Sequence, residues 1–307
     1  PDISQGILEI FKLKGSQRAM PYRYVAEVLH YNKALFAQRG VAVPTTFEEF
    51  VAAAKAITHK RADGAQVYAV TFDQSSNLYT TIYAFGGRVV TPDFQVKVNA
   101  PETVRAMTLL RELYQAGAIP PNMTEIDSAN QHNLYTQGLL AMEVAPSNYV
   151  TTYNDPAKSS IAPNSSVIPL PAAKDNTAIP FPSIASVWAV GITKNGKAEN
   201  KDKAWEFVRF FSSKRAQLQL GLNGNTPVRI SALGNAQYQA KAPDAAALAK
   251  VLPYATTRIP AFSGSAEVQR LFLEQAQAAI LGQKAPQQAM DDAAAAITRV
   301  LKREGHL

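Results

Sequence analysis

Residues 30–58, HYNKALFAQRGVAVPTTFEEFVAAAKAIT, hold the end of a strand, a short helix, a turn and a second helix in one stretch. Thr46 with Glu49 three residues on forms a capping box, in which each side chain satisfies a free backbone donor at the helix start. Phe47, Phe50, Val51, Ala54 and Ile57 then recur at helical spacing and predict one buried face. Pro44 closes the preceding turn. Downstream, QVYAVTF (66–72) is rich in β-branched and aromatic residues and reads as a strand.

The same alternation continues outward. Tyr79 to Phe85 reads as helix stopped by Gly86-Gly87, and NAPETVRAMTLLRELYQAG (99–117) repeats the capping logic. There Asn99 and Glu102 make the box, Val104, Met107, Leu110 and Tyr114 make the stripe, and Gly117 is the stop. LLAMEV (139–144) and SVWAVGI (186–192) read as buried strands, and SSVIPLPAA (165–173) as a strand broken by prolines. In KAWEFVRFF, Ala204, Phe207, Val208 and Phe211 fall on one helical face. Residues 234–260 are weakly patterned, and two helices close the chain, 267–281 before Gly282 and 286–303 before Gly305. Strands alternating with helices imply an α/β layer architecture.

Composition narrows the function. The 307 residues are 47% apolar and 18% charged, which fits a soluble globular chain of one large or two ordinary domains. There is no Cys, so disulfides, thiolate nucleophiles and Cys-ligated metals are excluded. No window is long and apolar enough to span a bilayer. The formal charge of +7 is scattered without a basic stripe or aromatic platform, which argues against nucleic acid.

Catalytic signatures are missing. His30, His59, His132 and His306 show no paired-ligand spacing for zinc, and no phosphate loop, GxSxG or GxGxxG occurs. Glu48-Glu49 open a helix, where acids suit the dipole. The Asn-Gly pairs at 195 and 223 are turn formers, and the sequons at Asn122 and Asn164 carry no weight alone. No cofactor and no metal are expected. What the chain does carry are aromatics in loops and at element ends: Tyr22, Tyr24, Tyr79, Tyr83, Tyr149, Trp188 and Phe262. Such faces stack on the C–H faces of sugars, with Arg23, Glu27, Asn77, Asn148, Ser186 and Arg229 as neighbours for hydroxyls. For any one of these aromatics, half-buried packing is the commoner role.

MPYRYVAEVLHYNKALFAQRGVAVPTTFEEFVAAAKAIT (20–58) resembles the crossing segment of family 1 extracellular solute-binding proteins of bacterial ABC importers, the maltose- and oligosaccharide-binding group. Tyr31-Asn32-Lys33, Leu35-Phe36, Gly40, Pro44 and Thr46 to Glu49 carry the match, with Phe47 in place of the family's Trp. Further matches follow in order: Phe85-Gly86-Gly87, Gln137-Gly138 to Ala141-Met142, Pro169-Leu170-Pro171, Lys203 to Phe207, Pro227-Val228-Arg229, and Leu281-Gly282 with Ala289 to Ala293.

The resemblance implies an α/β chain with the two-lobed periplasmic-binding-protein fold of type II, its hinge crossed several times and closing on a solute at the interface. It implies residues 1–26 as a remnant of lobe one with the first crossing, 27–181 as lobe two, 182–232 as the second part of lobe one, and 233–307 as the return to lobe two, with a third crossing near 229–232. Family members carry a longer stretch before the Pro-Tyr turn, so most of the N-terminal part of lobe one is expected to be absent here. By the same implication the ligand-binding residues are Arg23, Glu27, Asn77, Tyr79, Tyr83, Asn148, Tyr149, Ser186, Trp188, Arg229 and Phe262. Ser147-Asn148-Tyr149 stands where relatives carry a sugar-stacking Trp. The expected partners are a small-molecule solute, a sugar or related polyol, and the membrane permease, for a monomer in the periplasm or tethered outside the cell membrane. The competing readings are a carbohydrate-active enzyme, which needs a second acid converging on Glu27, and a sensor module using the same cleft.

Overall fold

A computed structural model describes residues 2–13, 15–72 and 76–307; Pro1 and Lys14, which fall in stretches read from the sequence, lie outside the described residues. The organising element is β3 (Met20–Asn32), thirteen residues rich in β-branched and aromatic side chains. It pairs antiparallel with β8 (Ser183–Val190) along its first half, then with β6 (Met142–Pro146) and β7 (Ser165–Ile168) along its second. The sheet is ordered β6-β3-β8-β9, with β9 (Ala255–Thr256) parallel to the start of β8.

Two hydrophobic cores share this strand. Leu29 joins the larger core, while Tyr24, Ala26 and Val28 join the smaller. Alternation of side chains across a strand permits this division, since neighbouring residues point to opposite faces.

The larger core is built on helices whose starts are fixed locally. The Asn32 side chain accepts from the Leu35 amide at 3.1 Å to open α2 (Lys33–Arg39), which Gly40 ends at φ 63°. Thr46 Oγ1 accepts from the Glu49 amide at 3.2 Å to open α3 (Phe47–Ile57). The reciprocal half of the box is displaced by one residue: the Glu49 carboxylate takes the Thr45 amide at 2.8 Å and the Thr45 hydroxyl at 2.7 Å. Phe47 stacks tilted on Phe50 and edge-on to Phe85. Burying each such ring contributes about 1.5–3 kcal/mol. α4 (Ser76–Ala84), α5 (Pro101–Gln115), α13 (Ser265–Ile280) and α14 (Pro286–Arg303) complete this core, α14 through Ala289, Met290, Ala293, Ile297, Val300 and Leu301. A third cluster of Tyr135, Leu140, Tyr153 and Ile161 joins α6 (Ser128–Thr136) to α7 (Tyr149–Tyr153).

The smaller core gathers Ile3 and Ile7 of α1 (Gln5–Glu9) with Val228, Leu233 of α10 (Ile230–Leu233), Tyr238 of α11 (Ala236–Lys241) and Leu248 of α12 (Ala245–Val251). Beside it lie α8 (Ala198–Phe211), α9 (Lys214–Leu222) and the small hairpin of β1 (Lys12–Leu13) and β2 (Ser16–Gln17).

Several expectations from sequence change. Residues 233–252, expected with lobe two, are helical and pack with Ile3 and Tyr24, and the larger core resumes only with Ile259, past β9. Helices of four to seven residues are too short to show periodicity, so burial there is decided by what they meet. α5 is capped at Ala100 with Pro101 in its first turn and no side-chain cap bond, and the Asn99 side-chain amide donates to Asp291 at 2.8 Å. The strand expected over 66–72 is limited to β5 (Gln66–Val67), paired with β4 (His59–Lys60), before Tyr68 bridges to Leu140. In β8 only Ser183, Ile184 and Ala185 are buried. Of the predicted face of α8 only Val208 is buried, and Trp205, Phe207 and Phe210 are exposed.

Candidate functional site

Antiparallel pairing sets Trp188 opposite Arg23 and Ser186 opposite Val25, so Arg23, Val25, Glu27, Ser186 and Trp188 share one face where β3 passes between the cores. The Arg23 guanidinium lies 4.6 Å over the Trp188 ring, a cation–π contact. Arg23 Nε is buried without a hydrogen-bond partner, and Trp188 is 40% exposed. Glu27 is buried, and its carbonyl accepts from Ser183 Oγ at 2.8 Å. Arg23, Glu27, Ser186 and Trp188, expected from sequence as hinge residues, lie on these two paired strands.

Asn148 sits one turn beyond the end of β6, held there because the Ser147 amide donates to the Ala26 carbonyl at 3.0 Å. It lines a cavity of about 340 Å³ between α7 and the α9–α11 region, together with Thr151, Asn225, Thr226, Lys241 and Asp244. Asn148 and Thr226 are both brought to one edge of β3, through the bonds at Ala26 and Tyr24. Sequence reading missed the second wall, since Thr226 is brought there by its carbonyl accepting from the Tyr24 amide, a pairing across two hundred residues with no local signal.

Behind Asn148 is a buried polar network. Tyr149 stacks on His132 at 4.0 Å, and His132 Nδ1 meets Glu143 Oε1 at 2.5 Å and the Tyr153 hydroxyl at 2.7 Å. Gln131 donates to the same Glu143 oxygen at 2.9 Å and accepts from the Asn77 amide at 3.1 Å. His30, cross-strand from Glu143, contacts the Pro146 carbonyl at 3.1 Å, and burial pushes it down to about 4 against the pull of Glu143. Asn77 and Tyr149 thus stand behind the junction as supports.

The remaining expected ligand residues lie elsewhere. Tyr79 is buried against Phe272 at 4.8 Å. Tyr83 is buried too, its hydroxyl donating to the Tyr254 carbonyl at 3.1 Å with Arg88 over its ring, which ties α4 to the crossing at β9. Phe262 packs edge-on to Phe94 and His306. Arg229 donates to Asp2 at 2.9 Å and to the Ser212 carbonyl at 2.6 Å. Asp2 also accepts from the Ser231 amide at 2.8 Å and hydroxyl at 2.7 Å. Burial opposes it, but these bonds from Ser231 and Arg229 hold the Asp2 carboxyl below its ordinary value. Among the described residues no group of His, Asp and Glu is arranged to hold a metal ion.

Comparison with known proteins agrees with this architecture. A binding protein of Brucella abortus is 24% identical over 306 residues, covering 95% of this chain and 69% of that protein. A Sinorhizobium fredii protein named as an amino-acid ABC transporter periplasmic-binding protein is 27% identical over 129 residues, 42% of this chain and 30% of its own. Among solved structures, maltose-bound MalE3 of T. maritima superposes with a TM-score of 0.80 at 23% identity, covering 98% of this chain and 77% of that one. A solute-binding protein of Agrobacterium radiobacter in complex with ribitol gives 0.78 at 25% identity, covering 97% and 75%. UgpB of Mycobacterium tuberculosis in complex with glycerophosphocholine gives 0.79 at 21% identity, covering 98% and 75%. The family model for bacterial extracellular solute-binding proteins matches residues 1–218, and the chain belongs to that family.

Proposed function

We propose that this protein captures a sugar or related polyol at the junction of its two halves and delivers it to the membrane permease of an ABC importer, working in the periplasm or tethered outside the cell membrane. The halves follow the two cores, one gathered around Ile3, Tyr24, Val28, Ala185 and Leu248 and the other around Leu29, Ile184 and Ile259. The observation that carries the reading is the face of β3 and β8 between them, where an exposed indole adjoins a guanidinium with an unsatisfied Nε. An aromatic ring for C–H faces beside a cation for hydroxyl oxygens is the pairing a carbohydrate needs. Maltose and ribitol in the similar structures support the same class. Binding without catalysis is the reading we take, supported by a family and structural neighbours that are solute-binding proteins.

Titration calorimetry against a panel of mono- and disaccharides and polyols tests this. We expect a saturable heat with at least one of them, weakened by about tenfold in Trp188→Ala through loss of ring stacking. No heat with any carbohydrate or polyol overturns the proposal.

A further inference from the structure

The junction cavity contains one group that neutral hydroxyls do not explain. Asn148, Thr151, Asn225 and Thr226 offer amide and hydroxyl groups that donate and accept equally well, but the wall is completed by the carboxylate of Asp244, 5% exposed. Asp244 stands at the N-cap of α12, where an Asp ordinarily accepts from the helix's first turn, yet its side chain makes no capping bond. The Leu248 amide makes the ordinary first bond of the helix to the Asp244 carbonyl, which leaves the carboxyl to the cavity. No ion pair among the described residues includes Asp244. Lys241, one turn earlier and on the same cavity, directs its ammonium to the Leu222 carbonyl at 3.1 Å. Burial raises the Asp244 carboxyl above its ordinary value, with the Ser147 hydroxyl acting in the opposite direction. A buried acid with no cation beside it is relieved either by taking up a proton or by a cation in the cavity, and an ammonium occupant would hold it ionised.

We infer that the cavity lined by Asn148 and Asp244, which Arg23, Glu27, Ser186 and Trp188 do not line, takes a protonated amine carried beside hydroxyls, the ammonium meeting Asp244 and the hydroxyls meeting Asn148, Thr151 and Thr226. The substrate class is an amino sugar or amino alditol. This rests on the proposed capture of a sugar or polyol and narrows it.

The test is calorimetric titration of the 307-residue protein at about pH 7, where alkylammonium groups are charged. The probes are D-glucosamine against D-glucose and D-glucamine against D-sorbitol. A charge-assisted hydrogen bond predicts that at least one amine binds about tenfold or more tightly than its neutral counterpart. In Asp244→Asn that amine should bind within about twofold of its neutral counterpart, both titrated against the variant. The same variant without solute should melt at an equal or higher temperature, because it removes an unpaired buried charge, and this shows that lost binding is not lost folding. Neutral compounds binding as tightly as the amines, or an amine preference that survives in Asp244→Asn, overturns the inference and leaves carbohydrate capture standing. Absence of heat from all four compounds also overturns it, and the wider carbohydrate panel then decides the function separately.

Discussion

Replacing Arg229 with Ala separates two roles that the sequence left together. Its guanidinium bonds Asp2 in a pair whose side chains are 21% and 22% exposed, so that pair is discounted for solvent screening to about 1 kcal/mol. Its Nε also donates to the Ser212 carbonyl at 2.6 Å, a charged hydrogen bond that contributes about 1.5 kcal/mol. The loss of about 2.5 kcal/mol should lower the melting temperature by about 4 °C in a chain of 307 residues. Asp2 is held below its ordinary value of 3.8 in the folded state. Its contribution is therefore complete above that pH and disappears as pH falls through the lower folded value. The gap between wild type and variant, followed by thermal melts across pH, should accordingly narrow below about pH 4, keeping only the Ser212 part. Solute affinity should be unchanged, since the side chain is committed to the N-terminal segment. A variant that melts within about 1 °C of wild type but loses affinity would refute this assignment and return Arg229 to the ligand.

Two further substitutions probe the scaffold on either side of the junction. Gly221→Ala should cost about 1–3 kcal/mol in urea unfolding, because the added Cβ would stand 2.8 Å from a ring carbon of Tyr238 and force that buried ring to move; an unchanged midpoint contradicts the packing. Glu143→Ala should cost about 3–5 kcal/mol by the same measurement, because Gln131 and His132 both donate to this fully buried carboxylate; a cost under about 1 kcal/mol means the network is not what holds α6 to β6.

Local chemistry made much of the fold legible. Thr46 and Glu49 mark a helix start because the cap and the acid lie within one turn, and the alanine-rich stripe of α14 shows its buried face because all its members lie on one helix. The face of Arg23, Glu27, Ser186 and Trp188 was also foreseeable, since alternation within two strands needs only the pairing register to complete it. Tyr79 and Tyr83 were unreadable as ligands or core, because an aromatic in a helix is explained by whatever packs on it, here Phe272 and the Tyr254 carbonyl. Asp244 gave no signal at all, lying in a weakly patterned stretch before a short helix.

The sequence by itself determined the long helices α3, α5 and α14 and the family, since periodicity, capping and ordered motifs are properties of neighbouring residues. Tertiary structure alone decided which core residues 233–252 join, that Arg229 clamps Asp2, and that Asn148 and Asp244 face one cavity. Those facts depend on contacts between residues far apart in the chain, whose energies are set by burial and by the partner each polar group finds, and neither quantity is written in any local pattern.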